Sequence, residues 1–485
     1  MTAYLANTAA WPLLLPALAA VLLALVGHYR LGAWINVLIS LATFAVALSF
    51  VVWRPAPGIY LRVDDLNIFL IILNTFVGAT TSIFSKDYIG HELETGRLTP
   101  TFLRFYHAMY QLLMFAMNLA LLANNIGLIW VAVELATLTT VLMVGLYRTH
   151  QAIEAAWKYF ILGSVGIALA LFGTTIVYLA AQPTFGEAGL QAMAWDHLLA
   201  QAASLDPTLL NLAFVFLLLG YGTKVGLVPL HAWLPDAHAE GPTPISAVLS
   251  GLLLNVALYA VLRFKMILAA NEAALAPGPL MMMMGLLSLG FAGLMLYRRR
   301  DIKRLFAYSS IEHMGLIAFA FGLGGPLANF AGLLHMAMHS LTKSAIFFTV
   351  GQISQVKGTQ RIADIRGLTQ SHPALGWALV LGVAAIIGLP PFGVFMSEFL
   401  LATATIAAQP WLALPLVSGL LLGFGALVWR LQGLAFGATE GPHVKAKASN
   451  FPIWSHLSLV LVAGIYLPPP LVVWFQNVAQ MLGEG

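Results

Sequence analysis

Five ionisable side chains stand inside long apolar runs. They are Glu134 in IGLIWVAVELATLTTVLMVGLY, Lys224 in NLAFVFLLLGYGTKVGLVPL, Glu312 in AYSSIEHMGLIAF, Lys343 in LLHMAMHSLTKSAIFF and Glu398 in LPPFGVFMSEFLLA. A charge at bilayer depth costs about 2.5–3.5 kcal/mol on insertion scales, so each needs a partner and a purpose. The chemistry open to such groups is proton transfer. Opposite charges hold each other ionised, and the gain or loss of one proton switches the pair. Glu134 and Lys224 are expected to pair; the competing reading is a structural intramembrane salt bridge with no transport role.

His335, His339 and Lys343 are spaced four and four, which puts all three on one helix face. At 1.5 Å per residue they cover about 12 Å of the axis. Histidine both donates and accepts a proton near neutral pH, so the row reads as a proton wire completed by water. Two hydrogen-bonded core histidines and a snorkelling lysine are the alternative. Metal ligation by the two histidines is disfavoured, because there is no HExxH and oxygen ligands are scarce nearby. Glu312 follows the basic run RRRDIKR, with Lys303 and Arg304 nearer the membrane surface, and either serves the wire or neutralises a basic neighbour. Glu398, after a double proline, would end the row near an outlet. His231, Asp236, His238 and Glu240 form either a proton entry funnel or a capped turn. Lys158 lies four residues after Glu154, the spacing of a surface pair, and is also in reach of the Glu134 site.

Composition sets the solvent these groups live in. The 485 residues are 60% hydrophobic and 9% charged, against about 25% charged in soluble chains, and the mean hydropathy is +0.87. The expectation is an all-α polytopic membrane protein, because lipid leaves backbone groups to be satisfied within each helix. There is no cysteine, which excludes disulfides, thiolate metal sites and cysteine-ligated iron–sulfur clusters on this chain. No dinucleotide fingerprint, Walker motif or serine elbow occurs in a suitable context, so no cofactor is expected here. The net charge of +4 is read as topology and not as affinity for nucleic acid.

About fourteen spans are expected, near 11–27, 33–53, 66–85, 105–122, 126–147, 157–181, 211–229, 243–264, 278–297, 306–324, 327–352, 373–409, 411–436 and 452–482. Gly220, Gly222 and Gly226 around Lys224 predict a broken seventh helix, and Gly388, Pro390, Pro391 and Gly393 a broken twelfth. Broken helices at mid-membrane depth are where transporters build ion sites. The first run has no basic residue before it and is expected as a retained helix. Apart from Arg54, Arg62, Arg263, Lys265 and the two intramembrane lysines, every Lys and Arg falls on the side of the odd-numbered loops. The loop at 183–210 on the other side carries Glu187, Asp196 and Asp206. The basic side is therefore expected to be cytoplasmic, with both termini outward. Glu134 precedes Lys224, and Glu312 precedes Glu398, by similar intervals, each joining a straight helix to a broken one two helices later. This is the trace of an inverted repeat. The whole chain then reads as a single membrane domain: N-terminal helices over 1–104, a first repeat over 105–264, a second over 278–436 and a C-terminal helix over 452–482.

The stretches GTKVGLVPLHAWLPDAHAEGPTPISAVLSG, RRRDIKRLFAYSSIEHMG, HMAMHSLTKSAIFFTVGQI, GLPPFGVFMSEF and WVAVELATLTTVLMVGLYR run from about residue 126 to 400. They resemble the antiporter-like membrane subunits of complex I, membrane-bound hydrogenases and multisubunit Na+/H+ antiporters. AYSSIEHMG and ELATLTTVLMVGLYR look most like the F component of hydrogenase-4-type complexes. The resemblance implies fourteen helices with inverted five-helix repeats. It implies ion translocation through Glu134, Lys224, His335, His339, Lys343 and Glu398, with Lys303 matching a further basic position. It also implies membrane-arm neighbours and a peripheral redox arm with iron–sulfur and, in hydrogenase-like members, nickel–iron centres. Asn255 departs from the pattern, standing where the family's eighth helix has a lysine or histidine; an amide can order water but cannot carry the proton. A cation/proton antiporter subunit without a redox partner, and a structural scaffold with a vestigial ion path, are the rival readings.

Overall fold

The computed structural model describes residues 8–186, 189–439 and 447–483. Glu187 and both chain termini, whose sidedness the charge bias addresses, lie outside the described residues. Among the described residues there is no strand, only three isolated bridges between loops.

The principal helices are α1 (Trp11–Leu25), α2 (Tyr29–Ser49), α3 (Asp65–Glu94), α4 (Pro100–Leu122), α5 (Ile126–Val144), α6 (His150–Phe185), α7 (Pro207–Val225), α8 (Trp233–Glu240), α9 (Thr243–Ala269), α10 (Gly278–Leu296), α11 (Ile302–Leu323), α12 (Gly325–Lys357), α13 (Pro373–Ile386), α14 (Gly393–Ala408), α15 (Ala413–Phe436), α16 (Phe451–Ile465) and α17 (Pro469–Met481). Ten are long and apolar enough to cross a membrane, eleven if the bent pair α16–α17 counts as one span. Helix α12 has the length, at 33 residues, but its histidines, lysines and hydroxyls dilute its apolarity.

Helix starts are written in the sequence as side-chain caps. The Asp64 side chain accepts from the Asn67 N–H in a reciprocal capping box, Asn125 from Gly127 and Leu128, Asp206 from Leu209, and Asp301 from Arg304. The bridges Leu61–Ala123 and Asn125–Ala194 gather the loops before α3, α5 and α7 at one end of the bundle. Asp301–Arg361 joins the loops after α10 and α12.

The bundle is polar inside and apolar outside. The most apolar stretch of α9 is wholly buried and that of α11 is 94% buried. With α12, which packs on both, they carry Asn255, Glu312, His313, His335, His339 and Lys343, all buried. The outer helices α1, α2 and α15 turn Leu18, Leu38 and Leu414 outward. Such a surface would drive aggregation in water and is ordinary in lipid. Helices α10 and α11 meet backbone to backbone at Gly285 and Gly315; a methyl on either would lie 2.6 Å from the other's carbonyl oxygen. Small residues at such crossings are how helices pack where no hydrophobic drive separates protein from solvent.

Two expectations need correction in detail, and a third holds. Helix α7 runs unbroken through Gly220, Gly222 and Lys224 and ends at Gly226, whose φ of +81° only glycine adopts readily. The chain then turns and resumes as α8. The break therefore lies after Lys224 and not around it. The 373–409 run does divide, into α13 and α14, at Gly388 and the two prolines. The 452–482 run, expected as one helix, bends by 84° between α16 and α17, where Pro468, Pro469 and Pro470 remove consecutive amide donors.

Candidate functional site

The first cluster is built on α5, α6 and α7. Lys224 lies in the last turn of α7 and is 1% exposed. Its Nζ sits 5.4 Å from the centre of the Tyr159 ring, and that ring is stacked on Trp233 and hydrogen-bonded through its hydroxyl to Thr140. Half-buried Glu134, on α5, is the one carboxylate whose charge acts on Lys224. Glu134 Oε2 and Lys224 Nζ make no hydrogen bond. Neither residue is in any of the described ion pairs, so the expected pairing is not a direct one.

Lys158 does not join them. It is 49% exposed and pairs with Glu154 at 2.6 Å and Asp236 at 3.3 Å. Asp236 also binds Arg304 at 3.2 Å, so α6, α8 and α11 are tied together at the surface. Of the two readings of Lys158, the surface pair with Glu154 is the one the structure shows, and two carboxylates at the helix surface hold the ammonium there.

The second cluster lies between α11, α12 and α14. Lys343, fully buried, donates to the Phe306 carbonyl at 3.0 Å, and Glu312 is the carboxylate whose charge acts on it. Glu312 Oε2 has no hydrogen-bond partner. His335 bonds His313 through Nε2 at 3.0 Å and the Ser397 hydroxyl through Nδ1 at 2.8 Å. His339 packs its ring 5.7 Å from that of His313 and leaves both nitrogens unpartnered. Glu398, half-buried on α14, brings a carboxylate oxygen within 4.8 Å of ring nitrogens of His313 and His335. Glu312, His313 and Glu398 line a cavity of about 20 Å³, room for one water. His313, which the sequence reading left out of the row, is therefore its hinge; its position next to Glu312 was the available signal. The His313–His335–Glu398 trio is the one metal-like grouping among the described residues, but His313 Nδ1 and both nitrogens of His335 are already engaged with each other and with Ser397.

The remaining candidates lie between and beside these clusters. Asn255 donates to Ser340 Oγ at 2.7 Å, which fixes it against α12. Its Oδ1 is unpartnered, and with Asn74, whose Oδ1 is also unpartnered, it lines a cavity of about 10 Å³. Lys303 donates to the carbonyls of Ala239 and Gly241 at 3.0 and 2.6 Å, closing the C-terminal end of α8. His238 is fully buried, stacks on Phe347 with both nitrogens unpartnered, and feels the charges of Lys303 and Lys343. His231 lies against Phe291 near the start of α8, with Nδ1 unpartnered. The described hydrogen bonds do not join the Glu134–Lys224 cluster to the Lys343–Glu398 cluster.

A family model described as NADH:quinone oxidoreductase/Mrp antiporter, TM, matches residues 123–423, a stretch that contains both clusters. The hydrogenase-4 component F homolog of Methylacidiphilum infernorum (isolate V4) is 60% identical over 475 residues, covering 98% of this chain and 100% of that one. A chain of the membrane-bound sulfane sulfur reductase, an archaeal respiratory membrane complex, superposes with a TM-score of 0.88 over 99% of this chain and 98% of its own, at 23% identity. A chain of the Mrp complex from Dietzia sp. DQ12-45-1b gives a TM-score of 0.83 over 98% and 97%, at 18% identity. At these identities the two structures speak for the fold.

Proposed function

Because this chain belongs to the NADH:quinone oxidoreductase/Mrp antiporter transmembrane family, we propose that it is the proton-translocating membrane subunit of a respiratory-type, hydrogenase-4-like oxidoreductase complex. The observation that carries this reading is the set of ionisable groups with buried nitrogen or carboxylate oxygen atoms left without protein partners: Lys224, His339 and Glu312, which are buried, and half-buried Glu134. Buried polar atoms are almost always satisfied, so groups like these are where water bonds. A proton arriving on Glu134 removes the counter-charge of Lys224. The lysine, buried and no longer compensated, releases its own proton onward. Water ordered by Asn255, and then His339, hands the charge to Lys343. Glu312, His313 and His335 carry it to Glu398. Lys303, His238 and His231 form the inlet side of this path. Redox cofactors belong to other subunits, in a peripheral arm with iron–sulfur and nickel–iron centres, beside further membrane-arm neighbours.

The same reading counts fourteen crossings, with α7–α8, α13–α14 and α16–α17 as interrupted spans and inverted repeats over 105–264 and 278–436. It sets the chain in the cytoplasmic membrane with both termini outward.

Sealed vesicles holding the assembled complex test the function. Glu134→Gln is expected to leave assembly and electron transfer in place and to lower the proton yield; intact pumping counts against a transport role. The family description also names antiporters. Co-purification of an iron–sulfur or nickel–iron subunit supports the redox-coupled reading, and cation/proton exchange with no electron donor supports the other.

A further inference from the structure

The loops after α10 and α12 and the last two turns of α15 enclose a pocket of about 780 Å³. Its walls carry Arg298, Arg300, Arg361, Arg366 and Arg430 beside Trp429. Among the described residues, none of these five arginines forms an ion pair. Among the described residues, the carboxylates nearest in sequence to the pocket arginines are turned elsewhere: Asp301 caps α11 and Asp364 accepts from Thr359. Arg430 stacks on Trp429 at 4.2 Å and gives one terminal N–H to the Tyr297 carbonyl at 2.7 Å, while its buried Nε has no partner. Five cations gathered round one concavity repel each other, and only an anion with several acceptor oxygens relieves that.

The pocket lies at the C-terminal ends of α10 and α15. Trp429 is exposed at its rim, as aromatic residues are at membrane interfaces. Along the same two helices, toward the middle of the bundle, Leu294 and Leu421 are turned outward. A basic chamber thus opens onto an apolar helix surface. The geometry points to a binding site for the phosphodiester headgroup of an anionic phospholipid, with its acyl chains lying along α10 and α15. Basic pockets between helices on the positively charged side of a membrane protein take such headgroups. Arginine supplies the planar, multidentate donors that a phosphate accepts. The site is separate from both ionisable clusters, so the proposal stands or falls independently of proton transfer.

The test uses the purified full chain in a non-ionic detergent and fluorescent phosphatidylglycerol, with phosphatidylcholine as control. The variant is the triple substitution Arg298→Gln, Arg361→Gln and Arg366→Gln, all at exposed positions. Saturable binding of phosphatidylglycerol but not phosphatidylcholine, at least about tenfold weaker in the triple variant, is expected. Equal binding by the variant overturns the proposal. Displacement of the lipid by inorganic phosphate at equal concentration overturns it as well, because the site would then be one for free anions. Repeating the measurement on the assembled complex provides the last arm. Retained lipid supports the site, and its exclusion there shows that an acidic neighbouring subunit is the true occupant.

Discussion

Lys224 fills the space that Gly163 leaves. A methyl group on Gly163 would lie 2.5 Å from Lys224 Nζ, and a Thr137 methyl bounds the same space at 3.3 Å from that point. The ammonium of α7 is held between α5 and α6 because α6 has no side chain there. Gly163→Ala is therefore expected to push Nζ out of this space and to change its interaction with the Glu134 charge. Assembly should persist, since the displaced atom is the end of a flexible side chain. The proton yield per electron-transfer turnover should fall severalfold in sealed vesicles. An unchanged yield would show that this position of the ammonium is unimportant.

Lys303 has a job besides any part in a proton path. Its ammonium satisfies two buried carbonyls at the C-terminal end of α8, Ala239 O in its last turn and Gly241 O just beyond it. Lys303→Met keeps the stem and removes the donors. Orphaning buried acceptors costs about 1–3 kcal/mol each, so the thermal midpoint of the detergent-solubilised chain should drop. A variant that loses pumping at an unchanged midpoint would assign Lys303 to the relay alone.

Asp64, in the loop before α3, holds the N-terminal end of α3 against the C-terminal half of α9. It pairs with Arg263 at 2.8 Å and Arg62 at 3.1 Å and accepts from the Asn67 N–H at 3.0 Å. Burial pushes its carboxyl up, but Arg263, the Asn67 N–H and Arg62 together outweigh that and hold it below the usual carboxylate range. A carboxyl depressed in the folded chain stabilises it fully above the unfolded value of about 3.9, and this is lost as pH falls through the folded value. Asp64→Asn should destabilise at neutral pH by about 3 kcal/mol, the cost of breaking a buried pair. Its gap in thermal midpoint from the parent should close as the pH is taken below about 4. A gap that stays constant with pH would contradict this account of the pair.

Much of this was legible in the sequence, for physical reasons. The apolar runs and the proline break before Glu398 are local features. So is the four-residue spacing that puts His335, His339 and Lys343 on one buried stripe of α12. What escaped is contact between helices. In water the rotation of a helix is marked by its polar face; in lipid both faces are apolar, and that marker fades. Hence His313, 22 residues from His335 in sequence, was not placed against it, although the two rings are hydrogen-bonded. The surface pair of Lys158 with Glu154 could be read from spacing, but its second partner, Asp236 on another helix, could not. Lys303 gave no sign in sequence that it faces the end of α8.

The most direct test of the central claim is the proton yield per electron-transfer turnover of a Lys343→Ala complex in sealed vesicles, with both quantities measured in the same preparation. Lys343 is the buried cation between Glu312 and the unpartnered His339. Its loss should interrupt the row between its two halves. Electron transfer should continue while the proton yield falls. A yield equal to that of the parent complex would contradict the relay and favour a scaffold whose buried charges serve packing alone.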